Sequence, residues 1–107
     1  QDILRNILDR DDQPITIDQI QKFIANYYKL RVAELKSRNN SKSVTLPRQI
    51  AMFLCKTLTS ASLPQIGRTF GGKHHSTVIH SIRKIENLCK KDREFNKLVN
   101  SFIETFN

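Results

Sequence analysis

The sequence predicts an all-α domain of about six helices, on three observations. Apolar residues recur at three- and four-residue spacing almost throughout. No convincing two-residue alternation marks a strand. Residues that cap helices stand just ahead of the apolar stripes. A chain of 107 residues, 38% of them hydrophobic, has room for one domain and one modest core.

The elements follow in order. Ile3, Leu4, Ile7 and Leu8 make a short amphipathic piece, stopped by Asp11-Asp12-Gln13-Pro14. Thr16 and Gln19 form a T-x-x-Q capping box, in which each side chain takes a backbone N–H that the helix leaves free. The helix it opens carries Ile17, Ile20, Phe23, Ile24 and Tyr28 as one buried stripe. A short helical piece around Val32-Ala33-Glu34-Leu35 comes next, then a polar loop from Ser37 to Ser43. Pro47 is expected near the start of the next helix, where its missing N–H is harmless. Ile50, Ala51, Phe53, Leu54 and Leu58 face its core side. Ser62 and Gln65 make a second capping box ahead of Leu63, Ile66 and Phe70. Gly71-Gly72 ends that helix, since glycine accepts the left-handed conformation. The next helix starts near His74–Ser76 and runs to about Lys90, with Val78, Ile79, Ile82, Ile85 and Leu88 inward. Phe95, Leu98, Val99, Phe102, Ile103 and Phe106 define a last helix.

No apolar run reaches the roughly 18–20 residues of a membrane span, and no signal-peptide pattern opens the chain. Cys55 and Cys89 lie far apart without CxxC spacing, so a cytoplasmic protein with reduced thiols is expected. The charge is segregated. From Lys36 to Lys91 there are eleven basic residues against the single acid Glu86, a net of +10 in 56 residues, while the rest of the chain sums to −2. A field of that sign attracts polyanions, nucleic acid ahead of membranes or acidic proteins.

A short capped helix, a tight glycine turn and a longer second helix make a helix-turn-helix pattern. The second helix opens Lys73-His74-His75-Ser76-Thr77, and its apolar residues begin only at Val78. A helix that merely plugs a core needs no polar tip, although ordinary solvated capping residues would also account for one. A recognition helix reads base edges from its N-terminal residues. Arg48 and Gln49 at the start of the preceding long helix, with Lys56, Thr59 and Ser60 at its end, are candidates for DNA backbone contacts, which fix register. Arg38, Asn40 and Lys42 in the loop can reach an adjacent minor groove.

Other motifs fail. Gly67 to His74 nearly spells the phosphate-binding G-x-x-x-x-G-K-[S/T], but ends in His and follows no strand. His74 and His75 diverge by about 100° on a helix, and His80 is off-face from both, so no metal site is expected. The cysteines read as small core hydrophobes. No arrangement presents a catalytic nucleophile.

The run from Leu63 to His80, Leu-Pro-Gln-Ile-Gly-Arg-Thr-Phe-Gly-Gly-Lys-His-His-Ser-Thr-Val-Ile-His, followed by Ser-Ile-Arg-Lys-Ile85, resembles the signature of the bacterial DnaA family of chromosomal replication initiators, in its C-terminal origin-binding domain. Pro47-Arg-Gln-Ile-Ala-Met52 and Ile17-Asp-Gln-Ile-Gln-Lys22 support it, so the resemblance covers about Thr16 to Leu88. It implies a Trp-repressor-like helix-turn-helix core spanning residues 13–107, with residues 1–12 the remnant of a helix connecting to an AAA+ part. That part, with its ATP site, is absent from this chain.

The resemblance further implies binding to asymmetric double-stranded DnaA boxes of nine base pairs by a nucleoid-associated, isolated domain that is monomeric. Base reading falls to His75, Ser76 and Thr77, with Leu63 and Pro64 near thymine methyls or sugar, and backbone contacts map onto Arg48, Gln49, Lys56 and Thr59. The family usually has Arg-Asp-His where this chain has Lys73-His74-His75, so an imidazole replaces an acceptor for a cytosine amino group. A loop position that commonly holds a minor-groove arginine is Asn40 here, leaving Arg38 or Lys42 to substitute, or a weaker contact. Regulatory proteins and acidic phospholipids are further partners the resemblance suggests. As an alternative, the first segment with Arg5 and Arg10 could lie on an anionic membrane, although Asp2, Asp9, Asp11 and Asp12 oppose that.

Overall fold

A computed structural model describes residues 14–107. The amphipathic piece at residues 3–8 and the expected remnant of a connecting helix at 1–12 lie outside the described residues. Six helices follow in order: α1 (Ile17–Tyr27), α2 (Val32–Leu35), α3 (Lys42–Leu58), α4 (Leu63–Thr69), α5 (His75–Lys91) and α6 (Arg93–Phe106). There is no strand among the described residues.

The Thr16 box nucleates α1 as expected. Thr16 Oγ1 accepts the Gln19 N–H and Gln19 Oε1 accepts the Thr16 N–H, each at 3.1 Å. Ile20 and Ile24 are fully buried, with Ile17, Phe23 and Tyr28 packed beside them. The helix stops at Lys29, which takes φ 58°, while the Leu30 N–H reaches back to the Ala25 carbonyl at 2.7 Å.

α3 begins earlier than Pro47 suggests. Ser41 is extended, and its carbonyl accepts the N–H groups of Val44 at 3.0 Å and Thr45 at 2.8 Å. Lys42 and Ser43 are therefore helical and the loop ends at Ser41. Pro47 is buried inside the helix, and its ring leaves the Ser43 carbonyl without the usual partner. α3 packs against each of the other five helices. Ile50, Met52 and Leu54 are fully buried, each large side chain contributing roughly 1.5–3 kcal/mol.

Ser62 caps α4, its Oγ accepting the Gln65 N–H at 3.2 Å, but the Gln65 side chain leaves the reciprocal half of the expected box unmade. Phe70 is fully buried at the end of α4, and Gly71 and Gly72 then take φ 88° and 78°. α5 buries Val78, Ser81 and Ile85 and lays Ile82 and Leu88 against the core. Ile79, expected inward, is half-exposed and outside the packed cluster. One residue past Val78 turns the helix by about 100°, which carries Ile79 off the stripe. Asp92 caps α6 through the Phe95 N–H at 3.1 Å. Phe102 then meets Phe23 and Tyr27 of α1 edge-on at 5.4 and 4.9 Å.

The glycine turn is pressed against the α2–α3 loop. A Cβ on Gly71 would lie 2.1 Å from the Lys36 carbonyl oxygen, whereas one on Gly72 would meet nothing. Gly71→Ala should therefore destabilise by about 2–4 kcal/mol, adding overpacking to left-handed strain. Gly72→Ala carries the strain alone and should lose roughly 1–2 kcal/mol. Equal losses in chemical denaturation would mean that the Lys36 carbonyl moves aside freely.

Candidate nucleic-acid interface

The helix-turn-helix presents its polar tip to solvent. His74, His75, Ser76 and Thr77 are all exposed, and Val78, one residue on, is fully buried. His74 is the N-cap of α5, its Nδ1 accepting the Ser76 N–H at 3.1 Å. The His74 and His75 rings lie 4.3 Å apart with their planes inclined by 31°. Pro64 in the first turn of α4 is exposed, and Leu63 beside it packs half-buried on the core.

The exposed face of α5 continues from the tip as Ser76, His80, Arg83, Asn87 and Lys91, at spacings of four, three, four and four. His80, Arg83, Lys84, Asn87, Leu88 and Lys91 line a shallow groove there. His80, Arg83, Asn87 and Lys91 are not among the contact residues that the sequence predicts. The available signal was their helical register with Ser76.

The loop joining α2 to α3 lies beside the turn, and two cations tie them together. Arg48 Nε donates to the Leu35 carbonyl at 2.9 Å, and its Nη2 to those of Ser37 at 3.0 Å and Asn39 at 2.9 Å. Lys73 Nζ donates to the same Ser37 carbonyl at 3.0 Å and to that of Phe70 at 2.9 Å. Among the described residues no carboxylate pairs with either cation. Burial lowers the Arg48 pKa below its ordinary value. Burial, then the positive charges of Arg48 and Arg38, lower that of Lys73.

This corrects two expectations. Arg48 is 4% exposed and so is built into the scaffold rather than offered to a phosphate. It shares the buried stripe of Val44, Ala51 and Cys55, at spacings of four, three and four. Lys73, expected to touch bases, is half-buried with its amine turned to the loop.

Two other expected backbone contacts are partly buried. Thr59 donates its hydroxyl to the Cys55 carbonyl and accepts the Ala61 N–H at 3.1 Å, ending α3. Gln49 is half-exposed, with its Oε1 buried and unpartnered. Lys56 and Ser60 are exposed at the end of α3. Arg38 and Asn40 are exposed on the clasped loop, and Lys42 is exposed on the first turn of α3 rather than in the loop.

Cys55 is buried, which pushes its thiol up to about 12, and neither cysteine is in a disulfide. Among the described residues no group of three or more His, Cys, Asp or Glu side chains could hold a metal ion. No described helix is long and apolar enough to cross a membrane.

An all-α domain whose short capped helix, glycine turn and polar-tipped second helix stand beside an exposed basic loop is a helix-turn-helix domain. Residues 17–85 match the family model of the bacterial dnaA protein helix-turn-helix, and the chain belongs to that family. It is 46% identical over 100 residues to the chromosomal replication initiator protein DnaA of Geobacter sulfurreducens, which covers 94% of this chain and 22% of that relative. The crystal structure of a DNA replication initiation factor superposes with a TM-score of 0.77 at 38% identity, covering 97% of this chain and 31% of the other. A replication initiator DnaA bound to AMPPCP and single-stranded DNA gives 0.73 at 39%, covering 94% of this chain and 29% of that one. The chain thus spans about a fifth to a third of the proteins it matches.

Because Arg48 makes charge-assisted hydrogen bonds from a buried position to the carbonyls of Leu35, Ser37 and Asn39, Arg48→Met should destabilise by about 2–3 kcal/mol. Urea denaturation measures it, and a loss below about 0.5 kcal/mol would show that the loop needs no guanidinium.

Proposed function

We propose that this domain binds duplex DNA, recognising an asymmetric nine-base-pair DnaA box and so positioning a replication initiator at an origin. The α5 tip enters the major groove, where His75, Ser76 and Thr77 meet base edges, with Leu63 and Pro64 alongside. The loop carrying Arg38 and Asn40 lies toward the neighbouring minor groove. The observation that carries this reading is the clasp: Lys73 and Arg48 hold the loop directly against the turn that precedes the tip. Readers of adjacent grooves must keep a fixed interval, and the clasp supplies one.

Affinity and specificity separate along the same lines. Exposed cations at Lys36, Arg38, Lys42, Lys56, Arg68, Arg83, Lys84, Lys90 and Lys91 have no carboxylate partner among the described residues, so phosphates meet them unneutralised. A relative has been solved with single-stranded DNA, but a single-strand reading suits this domain less well. Such surfaces stack bases on exposed aromatics. The exposed large aromatic among the described residues is Tyr27, whose ring already packs edge-on against Phe102 of α6.

Thr77→Ala should lose roughly 1–3 kcal/mol on the cognate duplex and almost nothing on a scrambled one. Equal losses on both, measured by fluorescence anisotropy, would remove Thr77 from base reading. Lys56→Ala should weaken both duplexes alike and make the slope of log K against log salt shallower by about one. An unaltered slope would remove Lys56 from the phosphate contacts.

A further inference from the structure

We propose that His74 and Ser76 set the hydrogen-bond polarity with which the α5 tip reads bases, His74 presenting a donor and Ser76 an acceptor, so that the base facing His74 is not cytosine. This assignment rests on the duplex reading above and names the base chemistry of the same tip.

The polarity follows from the helix cap. His74 stands extended ahead of α5 at φ −65° and ψ 148°. Its Nδ1 lies 3.1 Å from the Ser76 backbone nitrogen and 2.8 Å from Ser76 Oγ. A backbone N–H can only donate, so Nδ1 is the bare nitrogen of the ring and the imidazole proton sits on Nε2. Nδ1 then has nothing to give Ser76 Oγ, and at 2.8 Å the hydroxyl must donate to it. That leaves the Ser76 lone pairs free and the His74 Nε2–H as a donor with no hydrogen-bond partner among the described residues. The His75 ring stacked 4.3 Å away steadies the His74 ring, and all three residues are exposed.

In the major groove guanine offers N7 and O6, adenine N7 and thymine O4 as acceptors, whereas cytosine offers only its amino donor. Against cytosine the His74 Nε2–H meets another donor, and both groups lose their water without gaining a partner. Ser76 has the opposite preference and suits a base with an amino group, adenine or cytosine. The tip therefore reads donor then acceptor along the helix.

Two substitutions keep the cap and change the polarity. The side-chain oxygens of Asn and Asp both accept the N–H at an N-cap, but beyond the cap Asn offers an N–H and Asp only lone pairs. The test is equilibrium binding of the whole chain, as wild type, His74→Asn and His74→Asp, at one salt concentration. The probes are duplexes carrying each of the four bases at each of nine positions. Wild type and His74→Asn should share one position at which cytosine is the weakest base by about tenfold. His74→Asp should make cytosine the strongest base at that position and leave the other eight within about twofold. Far-UV circular dichroism checks that helix content is unchanged. If His74→Asp keeps the wild-type preference everywhere, or shifts several positions equally, the assignment is wrong. If wild type distinguishes no nine-base-pair site from scrambled duplex, the duplex reading itself fails, which is a separate result.

Discussion

Two positive charges held against main-chain carbonyls, with no carboxylate paired to them among the described residues, organise the working face of this domain. Arg48 rises from the buried side of α3 and gathers the carbonyls of Leu35, Ser37 and Asn39, and Lys73 reaches the Ser37 carbonyl from the opposite side. A peptide segment of exposed polar residues has too little apolar surface to order itself by burial. Here charge-assisted hydrogen bonds order it instead. An acid at the same place would satisfy the cations more strongly, but it would also neutralise the field at the surface where a polyanion is to be met. Carbonyl dipoles hold the cations and leave their net charge in place.

Gly71 completes that arrangement from the other side. Its missing side chain admits the Lys36 carbonyl, and Gly67 admits that of Lys73, so loop, turn and α4 meet backbone to backbone. Close contact of this kind transmits position with little slack. The loop cannot drift relative to the start of α5 without breaking hydrogen bonds or opening a void.

α5 divides its circumference between two tasks. Val78, Ser81 and Ile85 fasten it to the core through α3, the helix that touches every other one. Another face, from the tip along His80, Arg83, Asn87 and Lys91, is polar or basic and exposed. A helix anchored on one side by rigid packing can present hydrogen-bonding groups on the other in a fixed order, which sequence-dependent recognition requires. The cap adds chemical direction, because the bond that starts the helix also decides which imidazole nitrogen carries the proton.

Much of this was legible in the residues alone. Three- and four-residue spacing gave the helices, Thr16 and Ser62 gave two starts, and Gly71-Gly72 gave the turn. The polar run from His74 to Thr77 gave the exposed tip, because local propensity and amphipathic pattern act within a few residues. The beginning of α3 was not legible from Pro47, since the extended Ser41 and its carbonyl overrode the usual place of proline. Lys29 ended α1 without any glycine to announce it. The roles of Arg48 and Lys73 could not be read at all from their being basic. A cation on a helix reads as a phosphate ligand until its neighbours in space are known. Apart from the Phe70 carbonyl, three residues before Lys73, the carbonyls that claim these two come from Glu34 to Asn39, a segment brought to both cations only by the fold. Sequence determined which groups carry charge and hydrogen-bonding capacity, and the tertiary structure decided which of them were left free to face a ligand, because burial and partnership arise only when remote segments meet.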